Sequence, residues 1–298
     1  MEITSRNYTK DFGITKDYFK VRDFLLKLGD CEFVYARWDW MITHTHLEVE
    51  NLDKIKIWEN NNEIVALVTF DTVLGTGYCL TLPEYAFLKR EMLIYAEEHL
   101  KKDNQFKIVI PNEDIEFQKI AQDLGYNASD DSEHDAIIYT DSSNFEYLLP
   151  EGLKIISMAD RYNSYEYRKV LWKGFNHELN GEGPLVYTDE DTKRVDLEMK
   201  RPNVDLSLKL AVINQEGEFV AYCGMWFDSK TDFALIEPLA TIPEYRNKGL
   251  GKALVYEGIK RVSNQGAKRV FVGSCNQFYY RIGMLPYRES AIWDKKSI

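Results

Sequence analysis

The chain has 298 residues, of which 45% are apolar and 29% charged, a composition typical of folded globular proteins that excludes a disordered or collagen-like chain. At about 150 residues per domain, this length predicts two domains. The formal net charge of -11 argues against a protein that binds nucleic acid over a broad surface. The longest mainly apolar run, Phe219–Phe227, is far shorter than the ~20 residues of a membrane-spanning helix. No apolar export signal follows Met1, so we expect a cytoplasmic protein without a membrane span.

The first half of the chain contains strand-like and helix-like runs of an α/β fold. A polar turn at Asn60–Glu63 separates the first two strand-like runs, and Gly125 ends the last helical run. In chain order, the predicted elements are strands at Ile55–Trp58, Ile64–Phe70 and Gly77–Leu82, a helix at Ala86–Leu100, a strand at Phe106–Ile110 and a helix at Phe117–Leu124.

The second half has the same order in a clearer form. A glycine-containing polar turn at Asn214–Glu218 predicts a hairpin, and Gly266 and Gly283 end the two helical runs. In chain order, the predicted elements are strands at Lys209–Ile213, Phe219–Phe227 and Phe233–Thr241, a helix that begins near Leu250, a strand at Lys268–Val272 and a helix at Gln277–Ile282.

Matching segments in the two halves predict an internal duplication. Leu82–Tyr85 matches Ile242–Tyr245 at an offset of 160 residues, and Ile64–Ala66 matches Phe219–Ala221 at an offset of 155. A turn signal near Leu149–Gly152 follows a polar stretch, so we expect domains at residues 1–149 and 150–298.

The segment between the third strand and the helix of the second half is suited to an anion. Gly249 and Gly251 leave backbone N–H groups accessible at the start of a helix, where the helix dipole stabilises a diphosphate. The window 245–269 holds seven basic residues and one acidic residue, Glu257, in an acidic protein. A small polyanionic ligand and a solvated basic helix face both account for this window.

The loop resembles the coenzyme A loop of the GNAT family of N-acetyltransferases. Arg246, Gly249 and Gly251 stand at the three defining positions of the family pattern Arg/Gln-x-x-Gly-x-Gly/Ala. The resemblance implies two tandem GNAT-like domains, each with a mixed central sheet flanked by helices, and acetyl-CoA as co-substrate. The coenzyme contacts that it implies are Leu239, Ala240, Thr241, Arg246, Asn247, Lys248, Gly249, Leu250, Gly251, Lys252 and Asn276.

The resemblance also implies a bulge in the strand before the loop and a catalytic tyrosine. Pro238 supports a bulge, because proline cannot donate to a strand ladder, although it also fits a plain edge strand. Tyr279 is the expected proton donor to the leaving thiolate, with Tyr280 as the neighbouring alternative. Glu237 is the expected general base, and a strand glutamate without a catalytic role is the alternative.

The acceptor implied by the family is a small amine. His177 and Glu178 lie on the early helical segment that flanks the acceptor in this family, and a solvated helix end is the alternative account of His177. The main hypothesis is therefore an acetyl-CoA-dependent N-acetyltransferase. The competing hypothesis is an acyl-CoA-binding or regulatory module without turnover.

The first half matches the coenzyme loop poorly. Ala86–Arg90 occupy its loop positions without a glycine, and Ala121 stands where the second half has Tyr279. We therefore expect the first half to shield and shape the second rather than to bind coenzyme in the usual way.

Cysteine and histidine spacing predicts no metal. His44 and His46 form an i, i+2 pair, but no cysteine or carboxylate cluster completes a site. Reduced thiols are expected at the four widely spaced cysteines Cys31, Cys79, Cys223 and Cys275.

Overall fold

The computed structural model describes residues 3–44 and 46–295, and these fall into two units. Unit 1 contains residues 3–44, 46–135 and 287–295, and unit 2 contains residues 136–286. This division cuts the chain at 135/136 and again at 286/287, whereas the boundary expected from the sequence lies at 149/150. No helix of the described part is long and apolar enough to cross a membrane.

Unit 1 contains one sheet with helices packed on it. Its strands and helices, in chain order, are β1 (Ile3–Asn7), α1 (Lys16–Leu28), α2 (Tyr35–Met41), β2 (Lys56–Asn60), β3 (Glu63–Phe70), β4 (Thr76–Thr81), α3 (Lys89–His99), β5 (Lys107–Pro111), α4 (Ile115–Asp123) and β6 (Asn127–Tyr139), of which β6 ends in unit 2. A 3-10 helix, Pro83–Leu88, precedes α3 directly. The predicted helix Ala86–Leu100 is therefore a 3-10 turn followed by a shorter α-helix.

Unit 2 repeats this order. Its elements are β7 (Lys154–Ser157), α5 (Ser164–Gly174), α6 (Asp189–Met199), β8 (Lys209–Ile213), β9 (Phe219–Phe227), β10 (Phe233–Thr241), α7 (Leu250–Asn264), β11 (Arg269–Val272) and α8 (Gln277–Arg281), after which β12 (Leu285–Asp294) returns the chain to unit 1. Short 3-10 helices lie at Leu206–Leu208 and Pro243–Tyr245.

The two units have the same pattern of strand pairing. In unit 1, β1, β2, β3 and β4 pair antiparallel in sequence order, β4 pairs parallel with β5, and β5 pairs antiparallel with β12. In unit 2, β7, β8, β9 and β10 pair antiparallel, β10 pairs parallel with β11, and β11 pairs antiparallel with the end of β6. The prediction of a mixed sheet flanked by helices in each half is confirmed.

The sixth strand of each sheet explains why the unit boundary differs from the expected one. Residues 136–139 of β6 pair with β11, and residues 290–294 of β12 pair with β5, so each sheet is completed by a strand from a distant part of the sequence. The polar stretch that we interpreted as preceding a boundary contributes to β6. Its Glu133 carboxylate accepts a hydrogen bond of 2.8 Å from the Tyr78 hydroxyl, which gives a polar strand residue a partner.

The core of unit 2 covers both faces of β9. Cys223 and Met225 pack with Leu254 of α7, whereas Tyr222 packs with Tyr167 of α5 on the other face. Because both faces are buried, the run Phe219–Phe227 is apolar at nearly every position rather than alternating. The helices α5 and α7 thus hold β9 and its neighbour β10 between them.

Candidate functional site

Strand β10 contains a bulge at the predicted place. Ile236 lies opposite Met225 and Leu239 lies opposite Cys223, so two residues of β10 face one residue of β9. That one residue is Gly224, where an added Cβ would lie 2.3 Å from the Glu237 carbonyl oxygen. Only glycine allows the bulged backbone to come this close.

The bulge separates the part of β10 that pairs with both β9 and β11 from the part that pairs with β9. The parallel pairing with β11 covers Phe233–Leu235, and beyond the bulge Leu239, Ala240 and Thr241 remain paired with β9. These three residues line a cavity. The cavity therefore opens where β10 and β11 part.

The loop after β10 brings the chain to the start of α7. The 3-10 turn Pro243–Tyr245 ends in an extended residue, Arg246, and Asn247 and Gly249 then take left-handed conformations with φ of 60° and 78°. Gly249 is the N-cap of α7. Left-handed backbone favours glycine and tolerates asparagine, and it turns successive N–H groups to the same side. The helix begins with its free N–H groups and positive dipole end at the cavity.

Gly251, in the first turn of α7, allows a close helix approach. A Cβ added to Gly251 would lie 3.1 Å from the Phe278 ring of α8. The starts of α7 and α8 therefore lie side by side at one end of the cavity.

One cavity of about 710 Å³ brings most of the predicted coenzyme contacts together. The predicted residues that line it are Leu239, Ala240, Thr241, Arg246, Asn247, Gly249, Leu250, Gly251, Lys252, Asn276 and Tyr279. The lining also includes Gly174, Tyr245 and Phe278, which were not predicted. Tyr245 lies in the motif shared by the two halves, but no local sequence signal identified Gly174, since it reaches the cavity only through the packing of α5.

Four predicted residues lie outside this lining: Lys248, Glu237, His177 and Glu178. The Lys248 ammonium lies over the Tyr245 ring, 4.5 Å from its centre. His177 stacks on Trp172 with ring centres 4.3 Å apart, and its Nδ1 lies 2.8 Å from the Glu182 carboxylate. The Glu178 carboxylate lies 3.7 Å from the Lys173 ammonium. These side chains engage their neighbours at the surface, and the expected acceptor contacts stay predictions.

Arg246 lines the cavity and also donates hydrogen bonds to acceptors beside it. Its Nε donates to the Thr241 carbonyl at 3.2 Å, and its Nη2 donates to the Gly174 carbonyl at 2.9 Å and to Asn176 Oδ1 at 2.6 Å. Lys252 also lines the cavity, with its ammonium 4.9 Å from the centre of the Tyr256 ring.

Tyr279 is half-buried beside the cavity on α8. Asn276 caps this short helix by accepting a hydrogen bond of 2.9 Å from the Phe278 N–H. Burial raises the pKa of the Tyr279 phenol well above its ordinary value, with further contributions from Cys223 and from the negative charge of Glu237. The phenol therefore holds its proton at neutral pH, as a proton donor must.

Glu237 sits at the bulge itself. The Trp226 indole donates a hydrogen bond of 2.7 Å to its carbonyl oxygen, and its carboxylate acts electrostatically on both Tyr279 and Cys223. Burial raises the pKa of the Cys223 thiol to about 12, so this neighbour is a neutral thiol. Glu237 is thus the acidic group whose field reaches Tyr279.

The cysteines and the histidine pair have ordinary surroundings. Cys79 and Cys223 are buried free thiols, Cys31 is half-buried and Cys275 is exposed. The His44 ring packs against Trp40 with centres 4.1 Å apart. Among the described residues, no group of three or more metal-ligating side chains lies together.

Comparisons with known proteins agree with this geometry. Residues 172–284 match the model of the acetyltransferase (GNAT) family. An uncharacterized N-acetyltransferase from Chlorobaculum tepidum is 34% identical over 73 residues, which is 24% of this chain. The match covers 46% of that relative, less than half of its length.

Solved structures match over the whole chain. A tandem GNAT protein from the clavulanic acid biosynthesis pathway is similar over 100% of both chains, with a TM-score of 0.60 and 12% identity. A GCN5-related N-acetyltransferase from Sphaerobacter thermophilus is similar over 98% of this chain and 95% of its own, with a TM-score of 0.59 and 15% identity. At such identities the likeness concerns the fold.

Proposed function

We propose that unit 2, whose residues 172–284 match the acetyltransferase (GNAT) family model, transfers an acetyl group from acetyl-CoA to a small amine by direct attack. The observation that carries this proposal is the joining of three features in one cavity: the start of α7, the free edge of β10, and Tyr279. An anion-binding helix start, unpaired strand groups and a protonated phenol are the parts that such a transfer requires.

The residues around the cavity fit the coenzyme. The main-chain N–H groups near Gly249 and Gly251 would bind the diphosphate, and Lys252 would supply positive charge. The main-chain groups of Leu239 and Ala240 that are not paired with β9 would bind the pantetheine amides. When bound, acetyl-CoA supplies the activated acetyl group as a thioester.

Two side chains would transfer protons in this reaction. Tyr279 keeps its proton at neutral pH and would donate it to the departing sulfur. Glu237, at the bulge, would accept a proton from the acceptor ammonium, through a water where the distance requires one, so that the neutral amine attacks the thioester carbonyl. Its charge would also favour a cationic acceptor near the bulge.

The test is calorimetric titration of acetyl-CoA into the wild type and the pair Gly249→Asp and Gly249→Asn. Both replacements tolerate left-handed backbone, so their difference isolates the charge. We expect Gly249→Asp to weaken binding at least ~100-fold, because it places an anion at the diphosphate position, and Gly249→Asn to bind more tightly than the aspartate variant. Equal affinity in wild type and Gly249→Asp would contradict the site.

Transfer itself is tested with a panel of amines and detection of released thiol. Turnover with at least one amine is the expected result. Tight coenzyme binding without turnover on any amine would favour the acyl-CoA-binding module instead.

A further inference from the structure

Arg246 connects the end of β10 and the loop that follows it to the end of α5, which lies about 70 residues earlier in the sequence. Its guanidinium binds the Thr241 carbonyl at the end of β10 and the Gly174 carbonyl and Asn176 side chain at the end of α5. The guanidinium is always charged, and hydrogen bonds from a charged donor are about twice as strong as neutral ones. The side chain therefore fixes the coenzyme loop to the end of α5.

The end of α5 is built to be held in this way. Asn176 adopts a left-handed conformation with φ of 68°, and its main chain accepts a hydrogen bond of 2.8 Å from the Asn180 N–H. His177 and Glu182 continue this turn through a hydrogen bond of 3.0 Å from the Glu182 N–H to the His177 carbonyl. We call residues 174–182 the α5 turn. Asn176, near the start of this turn, is the residue whose side chain accepts a hydrogen bond from Arg246.

The α5 turn also lies directly on the cavity wall. A Cβ added at Gly174 would lie 2.8 Å from the Ala240 Cβ and 3.2 Å from the Thr241 nitrogen. Gly174 itself lines the cavity. A small movement of the α5 turn would therefore change the space beside the free edge of β10.

We propose that Arg246 is a positioning residue, which through Asn176 holds the α5 turn in register with the coenzyme loop, so that coenzyme binding orders the α5 turn. Only one part of this inference rests on the proposed function, namely that coenzyme binding orders the α5 turn. Arg246 then acts on the side of the cavity formed by the end of α5, and the diphosphate is held by the main chain and Lys252.

The matched pair Asn176→Gly and Asn176→Asp tests the contact. Glycine keeps the left-handed backbone but removes the acceptor oxygen, whereas aspartate keeps an acceptor and adds charge. Hydrogen exchange of the full-length protein is followed by mass spectrometry in a peptide that covers the α5 turn. Without coenzyme, we expect exchange about tenfold faster in Asn176→Gly than in wild type, and near the wild-type rate in Asn176→Asp.

Coenzyme A is the probe for the coupling. At saturation it should protect the loop 246–252 in all three proteins, and it should further protect the α5 turn in wild type and Asn176→Asp but not in Asn176→Gly. Loop protection without protection of the α5 turn in wild type would overturn the inference while leaving the proposed function intact. If coenzyme A protects neither segment, the proposed function is wrong, and the comparison without coenzyme still decides whether Arg246 holds the α5 turn.

Arg246→Lys separates positioning from diphosphate binding. Lysine keeps the charge but cannot reach three acceptors from one planar group. We expect fast exchange of the α5 turn, as in Asn176→Gly, with coenzyme A affinity reduced less than about fivefold. A loss of affinity of about 50-fold with unchanged exchange would show that Arg246 binds the diphosphate, and would overturn the inference.

Discussion

In both units the chain makes the same turn between a strand and the 3-10 helix that follows it, and the two units differ after this turn. In unit 1 the Leu82 N–H donates to the Val65 carbonyl at 3.0 Å, and in unit 2 the Ile242 N–H donates to the Val220 carbonyl at 3.1 Å. Both corners continue into a 3-10 helix that begins with proline. The duplication expected from these matching segments is thus visible as the same hydrogen bond.

The difference begins after the shared tyrosine. In unit 1 the 3-10 helix runs to Leu88 and joins α3, whereas in unit 2 it ends at Tyr245 and four residues precede Leu250. The burial pattern aligns the two helices through pairs of buried residues: Leu88 with Leu250, Met92 with Leu254, Leu93 with Val255, and Leu100 with Val262. On this alignment, unit 2 has two more residues than unit 1 between the shared tyrosine and the helix.

The space at the start of the helix is also used differently. In unit 1, Lys89 forms an ion pair with Asp114 at the start of α4, and its ammonium lies 5.2 Å from the centre of the Phe117 ring. On the burial alignment, Gly251 takes this place in unit 2 and lines the cavity. The same arrangement of strands thus supports an ion pair at the start of the helix in unit 1 and a helix start that lines the cavity in unit 2. The two connections differ in chain length and in the residue at this position.

The largest effect is expected from shortening the loop of unit 2 to the length found in unit 1. Deletion of Asn247 and Lys248 removes the left-handed turn before Gly249, so acetyl-CoA binding should fall below detection in calorimetry. The far-UV circular dichroism should remain that of the wild type, because unit 1 shows that the short connection is compatible with the fold. Retained affinity would show that these two residues do not account for the difference between the two units.

Tyr279 should matter for transfer and little for binding. The matched C-termini of α4 and α8 place Ala121 and Tyr279 at equivalent positions, because their carbonyls accept from Tyr126 N–H at 2.9 Å and from Met284 N–H at 3.0 Å. Tyr279→Phe should slow transfer about 100-fold with acetyl-CoA affinity within about twofold of wild type. Tyr280→Phe is the control, and an equal loss there would remove the assignment.

The two lysines of the loop should differ modestly. Lys252 lines the cavity and Lys248 does not, so Lys252→Ala should weaken acetyl-CoA binding about fivefold and Lys248→Ala less than twofold. The ratio of the two dissociation constants, measured at one salt concentration, checks this. The reverse order would mean that the diphosphate lies elsewhere.

A smaller effect is expected from the acidic group beside the ion pair of unit 1. Burial raises the pKa of Glu32 to about 7, while the charges of Arg288 and Lys89 oppose this shift. Because the pKa of Glu32 is raised in the folded state, the neutral carboxyl group makes its full contribution to stability below the pKa of the unfolded chain. That contribution is lost as the pH rises through about 7. Glu32→Gln should therefore raise the melting temperature relative to wild type at pH ~8, by roughly 2–4 °C for each kcal/mol, and not at pH ~4.5.

The exposed Glu63 provides the control for this pH dependence, since its carboxylate makes a surface ion pair with Lys27 at 3.5 Å. Glu63→Gln should leave unchanged the difference between the melting temperatures measured at pH ~8 and pH ~4.5. A Glu32→Gln protein whose melting temperature differs from wild type by the same amount at both pH values would contradict the raised pKa.

The sequence predicted the central strands and the loop because their signals are local. The bounds of β9 and β10 agree with the predicted strands, since both are apolar runs enclosed by turn residues. Gly249 takes the positive φ that makes glycine recognisable there. Asn276, expected as a coenzyme contact, lines the cavity although its side-chain oxygen caps α8.

Features set by distant contacts could not be read in the same way. The exchange of sixth strands depends on the pairing of residues 290–294 with β5, far away in sequence. The orientation of Arg246 depends on Gly174 and Asn176, which lie 72 and 70 residues before it. Nothing in the loop pattern distinguishes an arginine that binds a diphosphate from one that binds main-chain carbonyls.

A crystal structure of the full chain with bound coenzyme A would locate the diphosphate. We expect it at the start of α7, within hydrogen-bond distance of main-chain nitrogens in the segment 249–252, with the thiol directed to the bulge of β10. A coenzyme bound at unit 1, or a diphosphate held away from that segment, would contradict this expectation.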